Sequence, residues 1–376
     1  MFIVKKLLFS IFVFVLSLPS LLLFGNNRND KNDKKITIKC LLIGREDALD
    51  TLSSEGRKII IEQATKEIRT PVIVVTNKKQ CITGDKHNYE SLSSYYWPNP
   101  DNPQGAYVSK DGYVNPETLD YDREKINKMA RRCMSFAKAY YYSRDKFFYE
   151  SYLRQINAWF VDKKTRMTPN MEYSQIIKGK YNNQGQAHGI IDAYALSKVL
   201  ESIRLVEEIK PLPKRTSRAL KEWFVCFSEW LRNSEQGKIE SRQPNNHCPY
   251  YYSLLTNISF YVDDKQLIDK IVKEYPDVVL KRLIKEDGSQ PGELIRTRAY
   301  HYSSLTLSAI VDFCFMMDRY GVNFYGDNME IIDKGFSYLL KFADNKEAFP
   351  AKEIGDWNYT VSFLESLTNR IKSLEK

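Results

Sequence analysis

Apolar residues recur at helical spacing through most of the chain. Ile126, Met129, Ala130, Cys133, Phe136, Ala137 and Tyr140 fall three or four positions apart and line one face of a long helix. Leu196, Val199, Leu200, Ile203 and Val206 repeat the stripe, and Leu220, Trp223, Phe224, Phe227, Trp230 and Leu231 repeat it with bulky rings. The same pattern predicts a helix over 55–68 and others near 147–160, 265–284, 302–318, 329–342 and 358–374, the last carrying Leu364, Leu367, Ile371 and Leu374. Each stripe has to be buried against a partner, and the connections between them are long, polar and rich in Gly, Pro and Asn. Paired helices in rings or layers, with functional groups in the connections, meet both conditions. No repeat of fixed period is visible, so the expected fold is all-α, an incomplete (α/α) toroid of paired amphipathic helices rather than a regular solenoid.

The first residues follow a different pattern. Lys5 and Lys6 precede an apolar run from Leu7 to Phe24, broken by Ser10, Ser17, Pro19 and Ser20. This reads as a secretory signal over 1–25, with an uncleaved membrane anchor as the rival. Residues 26–50 read as a flexible spacer that opens on ten polar residues, and 51–376 as one domain. Export to the periplasm is the first expectation, with secretion second. The formal net charge is +9, and removal of residues 1–25, which hold two lysines and no acid, leaves +7. Such a surface favours polyanions. For an exported chain without a nucleic-acid motif, an anionic polysaccharide or oligosaccharide is the expected partner, not nucleic acid. The 25 Tyr, 19 Phe and 5 Trp suit stacking on sugar faces as well as helix packing. Six cysteines, Cys40, Cys81, Cys133, Cys226, Cys248 and Cys314, form no CxxC pair, so neither a zinc site nor a disulfide framework is expected. Cys133 and Cys226 are expected on apolar helix faces.

All four histidines, His87, His188, His247 and His301, fall in polar segments with aromatic neighbours and off the apolar stripes. Taken singly, each is more often a surface or capping residue. Four in similar settings point to a shared cleft, and without HxH or HExxH spacing a metal-free, cofactor-free site is expected. The ordered segments HxYxSxxxYxWP (His87 to Pro98), DGxxNPE (Asp111 to Glu117), MTPNMEYSQ (Met167 to Gln175), GIID (Gly189 to Asp192), NNH (Asn245 to His247) and DGSQPGELIRTRAYHY (Asp287 to Tyr302) resemble the alginate-lyase domain family. The resemblance implies an α/α toroid, a metal-free lyase mechanism and a uronic-acid polymer as substrate. After NNH the chain departs from the usual Gly-Thr-Trp-Tyr with Cys248-Pro249-Tyr250-Tyr251, which leaves alginate, glucuronan or another uronan open.

The chemistry of β-elimination asks for these residue types. The C5 proton of a uronosyl residue is removable only if charge spreading into the C6 carboxylate is stabilised, a base must take the proton, and an acid must protonate the departing O4. Asn246 and His247 are candidates for neutralising the carboxylate, His247 also for the base at the opposite C5 configuration, and Arg296 for pairing the carboxylate or polarising a tyrosine. The resemblance points to Tyr302 as base and acid, because members of the family place a catalytic Tyr shortly after the Arg of the ELxRT segment. Arg298, Tyr300 and His301 compete for these roles. Tyr95, Tyr96 and Trp97 are candidate stacking walls, Gln184, Gln186 and His188 a candidate subsite, and His87, Tyr250, Arg298 and His301 further substrate contacts. The bland alternatives are that Asn245–Asn246 is a helix cap, that Arg296 salt-bridges Glu293, and that Tyr302 begins an apolar helix face. A toroidal glycoside hydrolase would draw on two of Asp111, Glu117, Glu172, Asp192 and Glu293, and a third class is a non-catalytic glycan-binding protein.

Overall fold

The computed structural model describes Leu49 and residues 52–375. The expected leader, Cys40, the β-like run near Ile36 and almost all of the spacer lie outside the described residues. Helix α1 spans Ser54–Ile68 and is capped by Ser53, whose side chain accepts from the Gly56 N–H. Three short strands follow, β1 Glu90–Leu92, β2 Tyr96–Trp97 and β3 Val108–Ser109. Next come α2 Arg123–Ser143, α3 Lys146–Ile156 and β4 Tyr173–Ile176. A run of 3-10 turns over Ala187–Tyr194 leads directly into α4 Ala195–Glu207. The remainder is helical: α5 Lys214–Asn233, α6 Glu235–Glu240, α7 His247–Val262, α8 Lys265–Tyr275, two short pieces α9 Lys281–Leu283 and α10 Pro291–Leu294, then α11 Ala299–Tyr320, α12 Phe324–Leu340 and α13 Trp357–Lys372.

Burial separates four of the long helices into two layers, and packing order places the rest. In α4 ten of 13 residues are buried and in α11 fifteen of 22, whereas α5 buries seven of 20 and α8 four of 11. A helix apolar on one stripe covers a core, and a helix buried nearly all round lies inside one. The inner row runs α2, α4, α7, α11, each packed on the next, and α3, α5, α8, α12 and α13 cover it from outside. The row does not close on itself, giving the incomplete toroid. One apolar cluster runs through it from Leu49 to Leu374.

Three expectations change. The segment predicted as one helix over 265–284 is α8 followed by a π turn at Pro276–Leu280 and then α9, because Pro276 has no N–H to continue the ladder. Helix α7 has no counterpart among the predicted helices. Its interior holds Ser253, Thr256, Asn257 and Ser259 fully buried beside Leu254, Leu255 and Ile258, so no polar face alternates with an apolar one. Cys133 is buried as expected, but Cys226 is exposed, since α5 turns Trp223, Phe224 and Phe227 inward and leaves position 226 outside.

A charged group is also sunk between two inner helices. Arg204 of α4 ion-pairs Glu201 and donates to both the Asn257 side-chain oxygen (2.7 Å) and the Asn257 carbonyl (3.1 Å) on α7.

Candidate active site

The inner helices bring their starting ends to one cleft of about 450 Å³. Arg123 opens α2, His188 and Ile191 sit in the turns that lead into α4, His247 opens α7, and Tyr302 lies in the first turn of α11; all of them line the cleft. The β1–β2 segment Ser93–Tyr96 and Asp111, just past β3, close it from the side. Helix starts carry unpaired N–H groups and the positive end of the peptide dipoles, so this arrangement favours negative charge.

A carboxylate hub fixes the frame. Buried Asp192 accepts from Tyr89 Oη (3.0 Å), Ser91 Oγ (2.7 Å) and Gln175 Nε2 (3.1 Å) and ion-pairs Arg123 (3.2 Å), tying β1, β4, the 187–194 turns and α2 together. Gln175 takes a left-handed φ of 50°, a strained conformation for a non-glycine residue that lines the cleft. Gly189 lets the turns reach β4, since a Cβ there would meet Ser174 Oγ at 2.3 Å.

On one side stand the histidines. Asn245 and Asn246 turn the chain into α7, and the Asn245 side chain accepts from the His247 N–H at 3.2 Å. Pro249 falls in the first turn, where a missing N–H costs nothing. His247 Nδ1 lies 2.6 Å from Glu240 Oε1 at the end of α6, and Glu240 is fully buried with its second oxygen unpaired. Burial pushes the Glu240 carboxyl up, against the pull of His247. With Nδ1 donating to Glu240, Nε2 keeps a lone pair. His188 lies 6.4 Å from His247, ring to ring, with Nε2 3.2 Å from Ser93 Oγ. Burial, then the neighbouring His247, push His188 down to about 4. Asn246 is buried, and both its backbone N–H (2.5 Å) and Nδ2 (2.8 Å) donate to Glu293 Oε1, which also accepts from Thr306 Oγ1 (2.9 Å). Glu293 therefore holds Asn246 and not Arg296, and burial pushes its carboxyl up.

On the other side Arg296 bonds Asp111 at 3.0 Å, and its guanidinium lies 4.5 Å from the Tyr302 ring centroid. The Thr297 N–H and hydroxyl both donate to Asp111. Burial alone would raise the Asp111 carboxyl, but Arg296 and Thr297 outweigh it and hold it below its ordinary value. The Tyr302 and Tyr95 hydroxyls are 2.5 Å apart. Burial and then the Tyr95 bond push the Tyr302 phenol up, with Arg296 pulling the other way. Glu353 accepts the His301 N–H at 2.9 Å and anchors the start of α11. Burial and then Arg298 push His301 down to about 4. Arg298 makes no ion pair among the described residues, and its Nε is buried without a partner.

Of the residues singled out by sequence, Tyr302, His247, Arg296, Asn246, Tyr95, Tyr96, His188, Arg298 and His301 line this cleft. Four others do not. His87 is tied to the Arg166 carbonyl by Nδ1 (2.7 Å), the Trp97 indole donates to the Tyr113 carbonyl (2.9 Å) beneath Lys110, Gln184 is exposed beyond the rim, and Tyr250 packs edge-on to Tyr194 (4.5 Å) on a different cavity. The histidine segments are also more regular than expected, since His247 and His301 stand in first turns of α7 and α11. Sequence reasoning missed Glu240, Arg123, Ser93 and Ser94. Arg123 had a signal, a cation at the first position of the long apolar stripe, where it opposes the helix dipole; Glu240 had none. Four of the five carboxylates open to a hydrolase are occupied, Asp111 by Arg296, Asp192 by Arg123, Glu293 by Asn246, and Glu117 by Lys178 and Tyr107, and the fifth, Glu172, is exposed and does not line the cleft.

The family profile for alginate lyase matches residues 74–349. Among solved structures, an alginate lyase from Bacteroides ovatus is similar at 29% identity over 88% of each chain, with a TM-score of 0.82. Alginate lyase A1-III from Sphingomonas species A1 aligns at 15% identity over 76% of this chain and 77% of that one, with a TM-score of 0.48. No curated protein matches this sequence significantly.

Proposed function

Because the chain belongs to the alginate lyase family and is a polysaccharide lyase, we propose that it cleaves a uronic-acid polysaccharide by metal-independent β-elimination, with alginate as first substrate and glucuronan as second. The observation that carries this reading is the presence, in one cationic cleft, of a carboxylate-backed His247 and an arginine-stacked Tyr302.

In the proposed reaction the C6 carboxylate of the substrate lies against Asn246, His247 and the arginines. Asn246 keeps one Nδ2 hydrogen beyond its bond to Glu293. Arg296 already holds Asp111, so Arg298, with its unsatisfied Nε, supports a share of the carboxylate's charge as well. As the C5 proton leaves, its electrons spread into the carboxylate. The C4–O4 bond then breaks, C4=C5 forms, and the departing O4 takes a proton. Where the two transfers lie on one side of the ring, Tyr302 performs both as base and then acid, and the Arg296 cation stabilises its phenolate form. Where they lie on opposite sides, the Nε2 lone pair of His247 takes the C5 proton and the Tyr302 phenol supplies O4. The raised pKa of Tyr302 supports the phenol as its resting form, the form the opposite-side route requires of an acid, whereas the same-side route requires that phenol first to lose its proton to solvent, the direction in which Arg296 pulls. The products are a 4,5-unsaturated uronosyl end and a new reducing end. Residues 1–25 support export, to the periplasm first, as part of the same proposal.

The test is ultraviolet absorbance of purified protein with alginate, polymannuronate, polyguluronate, glucuronan and hyaluronan. A rise on one polymer names the substrate. New reducing ends without a rise, or no change on any polymer, would overturn the elimination reading.

A further inference from the structure

A second cavity, of about 560 Å³, adjoins the cleft, and Arg123, Ile191 and Leu305 line both. It follows the inner helices away from their starts. On α2 alone its wall runs from Arg123 to Lys138, sixteen residues and so roughly 22 Å at the α-helical rise.

Its carboxylates are already engaged. Asp192 holds Arg123 (3.2 Å), Glu201 holds Arg204, and Asp312 accepts from Tyr194 Oη (2.6 Å) and Arg370 (3.1 Å). Lys198 is different. It stays exposed on α4, a helix otherwise almost wholly buried, and makes no hydrogen bond or ion pair among the described residues. Partial desolvation of its stem, then the cations Arg131 and Lys138, push its pKa down. Beside it Ser197 also lines the cavity, 3% exposed, with its hydroxyl buried and without a partner. The lining also includes apolar and aromatic side chains, Met134, Ile191, Leu305 and the edge-on pair Tyr194 and Tyr250. A lysine without an ion pair, set beside Arg123 and Lys138 in a cavity that also holds aromatic rings, is what an acidic sugar needs for its carboxylate and its C–H face.

We propose that this chamber is a second saccharide site, which receives further uronosyl residues of the chain held in the cleft and pairs one of their carboxylates with Lys198. The inference rests on the uronan reading above. It gives the protein an affinity that grows with chain length past what the cleft alone can grip, and it assigns Tyr250 to this extension.

The experiment is calorimetric titration of oligomannuronates and oligoguluronates, from disaccharide to octasaccharide, into the full chain carrying Tyr302→Phe, so that ligand stays intact, with and without Lys198→Ala or Lys198→Glu. Affinity is expected to climb with length when Lys198 is present, and Lys198→Ala is expected to weaken the longest ligands about tenfold while Lys198→Glu weakens them further. An unchanged dependence on length in both variants, or no binding of any oligomer, overturns the chamber. Thermal melts establish that each variant is folded. Failure of the lyase reading is seen separately, as wild-type protein that binds the ladder without generating unsaturated ends; the Lys198 comparison then still decides the chamber.

Discussion

The two sides of the cleft use opposite electrostatic constructions. On the histidine side a buried carboxylate stands behind the functional ring: Glu240 supports His247 and Glu293 supports Asn246, and both acids are fixed by inner-helix packing. On the tyrosine side the cation stands in front, as Arg296 lies over the Tyr302 ring and is itself restrained by half-exposed Asp111. A buried acid behind an imidazole keeps one nitrogen donating and the other open, which suits proton acceptance. A cation against a buried phenol offsets only part of its desolvation, leaving a protonated group that suits donation. The proposed division of labour between the sides follows from this difference in where the counter-charge sits.

The sharpest way to break the comparison is Tyr302→Phe, which removes the donor and leaves the ring over Arg296. We expect kcat to fall about 10³-fold with KM little changed, read by initial rates of absorbance increase. His247→Ala removes the acceptor from the other side and should cost about 10²-fold. That loss should be larger on the polymer whose C5 and O4 transfers lie on opposite faces than on the one where they share a face. A third effect separates His188 from His247 within the histidine side. His188 has a folded value of about 4 against an ordinary 6.5, so the unfolded chain binds its proton more readily. Stability is therefore complete above 6.5, falls as pH drops from 6.5 to 4, and levels off below. His188→Gln should remove about 3 kcal/mol of the stability lost across that window, measured as denaturation midpoints, with His301 supplying a residual loss of the same sign. The mildest change, Glu240→Gln, keeps the shape and removes the charge behind His247. A drop of about tenfold in kcat with unchanged KM is expected, whereas a purely structural role for Glu240 would lower the melting temperature and leave kcat alone.

The outer layer was far more legible than the inner one. Helices α5 and α13 face water on one side and the core on the other, so their stripes appear directly in the sequence. Helix α7 is packed on every side and carries Ser253, Thr256, Asn257 and Ser259 inside the ring, which erases the stripe, and it carries the His247 side of the cleft. The site was legible where motif and chemistry coincided, as at Asn246, His247, Arg296 and Tyr302, all of which line one cleft. It was illegible where a partner is distant or unmarked. Nothing in the sequence joins Asp111 to Arg296, and a Glu seven residues before a His gives no hint that the two touch. Aromatic composition misled at Trp97, whose ring serves the rim, while Tyr250 lies in the neighbouring cavity and not in the cleft.

The guanidinium of Arg204, sunk between α4 and α7, works as a ruler. Sliding α7 along α4 by a single turn, about 5.4 Å, would separate Asn257 from a charge that has only Glu201 left beside it, an arrangement the interior penalises strongly. Only one longitudinal setting of the two helices is therefore tolerated, and the same setting fixes the depth at which His247 meets His188. The distance between the two rings is calibrated by a polar key placed well down the inner helices from the cleft it governs.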